Sequence, residues 1–145
     1  MSKVEDFLTK EEEQEIVEAI RMAERNTSGE IRVHIEKNTS LDVYERATEV
    51  FHELNMDTTT LKNGVLIYCA VDDHNFVICG DKGINDLVPD DFWNCTRDVM
   101  ATEFRKGDFK QGLINGITRA GQQLQHFFPW QEDDKDELSN EISRG

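Results

Sequence analysis

Gly64-Val65-Leu66-Ile67-Tyr68-Cys69-Ala70-Val71 is the stretch on which the fold turns. It runs apolar without alternation, a pattern that suits a strand covered on both faces in the middle of a sheet. Asp72-Asp73-His74-Asn75 follows as a turn cluster, and Phe76-Val77-Ile78-Cys79 then returns as the antiparallel arm of a hairpin. Upstream, Glu30-Ile31-Arg32-Val33-His34-Ile35-Glu36 alternates strictly. Ile31, Val33 and Ile35 share one face and the four polar residues the other, which predicts a half-exposed strand at a sheet edge. Between the two strands, Val43, Ala47, Val50, Phe51 and Leu54 keep helical spacing within 40–54, so the connection is a β-α-β crossover and the sheet is mixed.

Further helices flank these strands. Thr9-Lys10-Glu11-Glu12 reads as a capping box that opens a helix with Ile16, Val17, Ile20 and Ala23 on one stripe, and Asn26-Thr27-Ser28-Gly29 stops it. Pro89 fits the first turn of a later helix carrying Phe92, Cys95, Val99 and Phe104, with Asp90 and Asp91 near its positive end. Asp108-Phe109-Lys110-Gln111 resembles another capping box, ahead of Leu113, Ile117, Ala120, Leu124 and Phe127. Gly112 and Gly116, one turn apart, predict close helix packing. The expected class is α/β: a small mixed β-sheet sandwiched between helices in the order α-β-α-β-β-α-α. It occupies residues 1–130, and 131–145 form an acidic, flexible tail with six acidic and two basic residues.

Length and charge narrow the function classes. A chain of 145 residues fits one domain with a real core. A net charge of −14 repels nucleic acid and anionic membranes, and no apolar run approaches the roughly 20 residues of a membrane span. With no signal-peptide pattern, the expected location is cytoplasmic. Cys69, Cys79 and Cys95 lack metal-ligand spacing and are odd in number, so they are read as small buried apolar residues.

Five spaced segments resemble the TPM domain family: Thr27-Ser28-Gly29-Glu30-Ile31-Arg32-Val33, Lys62-Asn63-Gly64-Val65-Leu66-Ile67-Tyr68, Gly80-Asp81-Lys82-Gly83-Ile84, Pro89-Asp90-Asp91-Phe92-Trp93 and Phe128-Pro129. The resemblance covers about residues 7–130. It implies an α/β sandwich. It also brings two associations of the family, calcium binding and, for some plant members, phosphatase activity.

The predicted topology puts Glu30, Asn63 and Asp81 at one end of the sheet, with Asp90 and Asp91 following nearby. A hard cation takes oxygen ligands from carboxylates, carbonyls and water, so Glu30, Asp81, Asp90 and Asp91 are the expected ligands of a low-affinity, partly hydrated calcium site, with magnesium as the competing ion. The same acids have plainer uses. Asp90 and Asp91 complement a helix N-terminus, Glu30 pairs with Arg32 or Lys62, and Asp81 caps a turn. An EF-hand loop is absent.

Asp72, Asp73 and His74 at the opposite sheet end read as hairpin-turn chemistry, and His34, His52 and His126 lack zinc-like spacing. Residues 1–130 hold no phosphate-cradling loop, Cys-x5-Arg motif or Asp-x-Asp nucleophile pair, and no catalytic residue is assigned. A phosphatase would be a metal-dependent one at the same site, with Lys62 or Lys82 on the phosphate. The third function class is a protein-interaction module, docking an unidentified partner through Phe127, Phe128, Trp130 and the acidic tail.

Overall fold

Strand β2 (Gly64–Ala70) is buried along its whole length, the consequence of an apolar run with no polar face to give to water. The computed structural model describes residues 8–59, 61–129 and 142–144. On one side of β2 lies β1 (Glu30–Glu36), parallel and in register from Glu30↔Gly64 to Glu36↔Ala70. On the other lies β3 (Asn75–Gly80), antiparallel from Val65↔Gly80 to Ala70↔Asn75. A short β4 (Ser143–Arg144) pairs parallel with β1 at His34 and Ile35, giving the order β3-β2-β1-β4. The crossover between β1 and β2 is α2 (Val43–Glu53), whose N-cap Asp42 accepts from Tyr44 N–H and Glu45 N–H. In the β2–β3 turn His74 takes the left-handed backbone at φ 53°, and Asp73 accepts from Thr39 N–H at 3.1 Å. The His74 role is turn chemistry, while Asp73 ties the turn to the loop that follows β1.

The capping box expected at Thr9 starts α1 (Lys10–Glu24), with reciprocal bonds of 3.0 and 3.1 Å between Thr9 and Glu12. At α5 (Phe109–Phe127) only half of the expected box forms. Asp108 accepts from Gln111 N–H at 3.1 Å, while the Gln111 side chain donates to Asn115 instead. The helix expected from Pro89 starts later, as α4 (Asn94–Arg105). The amides of Phe92 and Asn94 reach only three residues back, to Pro89 and Asp91, which makes 90–93 a turn. A four-residue helix, α3 (Lys82–Asn85), was too short to show periodicity; it follows β3.

The two faces of the sheet are built differently. Ile31, Val33, Ile35, Val65, Ile67 and Ile78 pack on α1, α4 and α5 through Ile16, Ile20, Met100, Leu113, Ile117 and Leu124. Each such side chain contributes about 1.5–3 kcal/mol by burial. Close approach of α4 and α5 depends on the predicted glycine pair: a Cβ at Gly112 would meet Phe104 at 2.2 Å and one at Gly116 would meet Met100 at 2.4 Å. On the opposite face Leu66, Tyr68, Ala70 and Cys79 meet Ala47, Val50 and Phe51 of α2 and Met56.

The polar face of β1 corrects the expectation of a half-exposed strand. Glu30, His34 and Glu36 are buried, and only Arg32 is intermediate. Burial is tolerated because the charges answer one another. Glu36 accepts from Tyr68 Oη at 2.6 Å and from Arg46 Nε at 3.0 Å, and a second Arg46 nitrogen pairs with its other oxygen. Arg46 also reaches Glu49 and Glu53 at 3.1 and 3.2 Å. His34 Nε2 stands 3.1 Å from Glu36 Oε1 without hydrogen-bond alignment, while its Nδ1 is 2.9 Å from Ser143 Oγ. Burial raises the Glu36 carboxyl, but the hydrogen bonds from Arg46 and Tyr68, with the His34 ring close by, outweigh it and hold the pKa down at about 2. Burial lowers His34, and burial together with Glu36 raises Tyr68.

Cys69 and Cys79 are buried as expected, and burial pushes their thiols up to about 12 and about 11. Cys95 is exposed instead, with Arg119 Nη2 2.9 Å from its sulfur, because it lies on the outer side of α4. Trp130 and most of the expected tail fall outside the described residues. Of residues 131–145, the described ones are Ile142, which joins the core, and the β4 pair.

Two outcomes follow from this interior. Glu36 titrates near 2 in the fold against 4.5 ordinarily, so across that interval the unfolded chain binds more protons. The associated stability, about 3 kcal/mol, is complete above the ordinary value and disappears as pH falls toward 2. His34 adds to the same trend below its ordinary 6.5, because the fold holds it neutral. Urea melts from pH 7 to pH 2.5 will show this decline, and Glu36→Gln will flatten it below pH 4.5 while lowering stability at pH 7. Under native conditions a thiol reagent will label Cys95 rapidly and Cys69 and Cys79 only on unfolding; fast labelling of more than one site would contradict this burial.

Candidate functional site

The end of the sheet where β1 and β2 begin and β3 finishes gathers the segments singled out by the sequence. Glu30 N–H donates to Asn63 O at 3.3 Å, and Asp81 N–H donates to Gly64 O at 2.9 Å. Gly64 is also the register partner of Glu30. Glu30 and Asp81 therefore flank Gly64, which carries no side chain, and by strand alternation both face the α2 side of the sheet. Their backbones are two strand spacings apart, roughly 9–10 Å.

Local sequence explains how Asp81 is held. Its backbone is extended and it caps α3, Oδ1 accepting from Lys82 N–H at 2.7 Å. Asn85 turns back to donate from Nδ2 to Gly80 O at 2.9 Å, fixing the strand-to-helix corner. The other carboxylate oxygen, Asp81 Oδ2, is buried and has no hydrogen-bond partner among the described residues. A buried, unsatisfied carboxylate oxygen is costly, and a cation is one group that satisfies it.

The neighbouring loop contributes backbone. Lys62 adopts φ 52°, and the carbonyl oxygens of Leu61 and Lys62 lie directly against Gly83; a Cβ there would stand 2.3 and 2.4 Å from them. The residue at 83 must be glycine because two carbonyls occupy the space of any side chain. Asn63 Nδ2 donates to Ser28 O at 3.1 Å, tying this loop to the entry of β1. The Lys62 ammonium is spent on Asp57 O.

The remaining predicted ligands do not join Asp81 in one cluster. Asp90 and Asp91 are exposed in the turn before α4, and Asp90 lines a cavity of about 390 Å³ along the outer edge of β3 together with Tyr44, Ile78, Val88, Trp93 and Arg97. Glu30 is buried and has partners of its own. Among the described residues no three His, Cys, Asp or Glu side chains stand close enough to share one ion. The structure thus brings Glu30 and Asp81 to one sheet end, with loop carbonyls against Gly83 two residues on, but does not draw all four acids together. The orphaned Oδ2 of Asp81 and the carbonyls around Gly83 could not be read from sequence. Gly80 and Gly83 flanking an acid were the only signal.

Comparison with known proteins gives the context of this site. The TPM domain family model matches residues 1–123. The NMR structure of the BA42 protein from the psychrophilic bacterium Bizionia argentinensis is similar at 62% identity over 100% of both chains, with a TM-score of 0.93. The solution NMR structure of the N-terminal domain of a protein from P. gingivalis shares the fold at a TM-score of 0.69 and 19% identity, over 84% of this chain and 79% of that one. No curated protein matches. No helix among the described residues is long and apolar enough to cross a membrane.

Gly83→Ala places a methyl group against two backbone carbonyls that cannot rotate away. The expected loss is about 1–3 kcal/mol or more, read as a lower melting temperature, with the largest amide shifts in residues 59–64 and 80–86. A variant as stable as the parent would show that the two loops are not in contact.

Proposed function

The chain belongs to the TPM domain family, and from that membership and the geometry at Asp81 we propose that it binds a divalent cation, with calcium the leading ion and magnesium the competitor. The observation that carries the reading is the buried Oδ2 of Asp81, which has no hydrogen-bond partner among the described residues. Its neighbours suit a hard cation, which accepts carbonyl and water oxygens beside a carboxylate. In this proposal Asp81 is the principal ligand and the 61–62 carbonyls and water complete the shell. Glu30, Asp90 and Asp91 contribute charge from further out. A shell that draws on so few carboxylates points to weak affinity, with Kd on the order of 10⁻⁴–10⁻³ M.

A bound cation would supply positive charge at a rim that is otherwise acidic. Residues 81–98 hold five aspartates against Lys82 and Arg97. A phosphate ester meets repulsion there until a cation is present, so the phosphatase reading depends on the cation reading and is assayed after it.

The test is a calcium titration of chelator-treated protein followed by backbone NMR, with magnesium in parallel. The expected shifts concentrate in residues 59–64 and 80–86, and the melting temperature rises with calcium by mass action. Asp81→Asn keeps an N-cap acceptor but loses the charge, so the variant should fold and bind at least about tenfold more weakly, since paired charges are worth more than 1.4 kcal/mol in such sites. Equal affinity in that variant, or shifts scattered over the acidic surface, would overturn the proposal.

A further inference from the structure

The two edges of the sheet are finished in opposite ways. On the β1 side Glu24 Oε2 accepts from Ile31 N–H at 2.9 Å, and β4 pairs with His34 and Ile35. On the β3 side the register with β2 is unbroken for all six residues of the strand, so no bulge twists it away. Its sequence, Asn75-Phe76-Val77-Ile78-Cys79-Gly80, contains no lysine or proline, the residues that commonly blunt an edge. Left as it is, this edge is a template for another strand.

Hydrogen-bond phase shows what that template offers. Asp81 N–H donates to Gly64 O, so in the antiparallel ladder residues 81, 79, 77 and 75 face β2. Phe76, Ile78 and Gly80 turn their backbone groups outward. Asn85 takes Gly80 O, and Ile78, with its donor and acceptor pointing away from β2, lines the cavity of about 390 Å³. The strand edge is thus the floor of a groove. One wall is Tyr44 of α2, 51% exposed, and the other is Val88, Pro89 and Trp93. Trp93 Nε1 is buried with no acceptor among the described residues. Asp90 and Arg97 both line the groove and offset one another, while the segment that forms this second wall, residues 81–98, carries a net charge of −3 within a chain of −14.

We propose that the outer edge of β3 receives an extended, lysine- or arginine-bearing segment of a partner protein as an additional strand. Main-chain bonds to Ile78 give the register, and one apolar side chain of the segment sits between Tyr44 and the Val88–Trp93 wall. Basic residues of the segment meet Asp90 and the net negative field of the 81–98 wall and of the chain, which discriminates against acidic strands.

Three amidated hexapeptides test this on the full chain, with EDTA present so that no cation site contributes. One alternates valine and lysine, one alternates valine and glutamate, and one replaces alternate valines of the lysine peptide by proline. The lysine peptide is expected to shift the amides of residues 75–80, 44 and 88–97 and to slow hydrogen exchange at Ile78. The glutamate and proline peptides leave them unmoved. Tyr44→Ala, at an exposed position, should weaken binding by about tenfold without loss of fold. No response to the lysine peptide, equal binding of the glutamate or proline peptide, or shifts confined to surface acids away from β3 would each overturn the proposal.

Discussion

Everything in this molecule is arranged around a strand with no face for water. Because β2 is buried along its whole length, it needs a hydrogen-bonding partner on each edge and a helical layer on each face. β1 and β3 supply the edges. The helices α1, α4 and α5 cover one face and α2 the other. The crossover through α2 does double duty. It makes the β1–β2 pair parallel and carries Arg46 over the polar side of β1.

That placement explains how a strand with four polar residues on one face comes to be interior. Glu36 is the centre of the arrangement, receiving hydrogen bonds from Tyr68 of β2 and Arg46 of α2, with His34 beside it. Buried polar groups are tolerated when their bonds are made, and they fix the relative position of the elements that carry them. An apolar β1 would pack as well but would leave α2 less constrained. The acidic end of the sheet follows a different logic. There Asp81 caps a short helix with one oxygen and finds no partner for the other among the described residues, while glycine at 83 lets a neighbouring loop close against the corner.

The two ends and edges of the sheet divide the chemistry between them. The β1 edge is closed by Glu24 and β4, and Glu36 and His34 spend their contacts internally. What remains outward is the corner around Asp81 and the groove beside β3. Both are lined by the segment 80–97, on which the cation and strand-docking proposals rest.

Much of the fold was legible in the residues themselves. Unbroken apolarity identified β2, strict alternation identified β1, and the Thr9 capping box with the periodic stripes identified α1 and α5; each is a local signal whose meaning does not depend on distant residues. The crossover, and with it the coincidence of Glu30 and Asp81 at one sheet end, followed from the order of elements. Tertiary structure alone decided the rest. Alternation cannot say whether the polar face of β1 meets water or Arg46, because that depends on where α2 lands. Pro89 is compatible with a helix start and with a turn, and long-range packing of Trp93 and Val88 on the core settles it as a turn. The failure of Asp90 and Asp91 to form one cluster with Asp81 and Glu30, the carbonyls pressed on Gly83 and the open edge of β3 are likewise products of chain segments meeting in space. Sequence fixes which groups are available and on which element they stand; the distances between them exist only once the elements have packed.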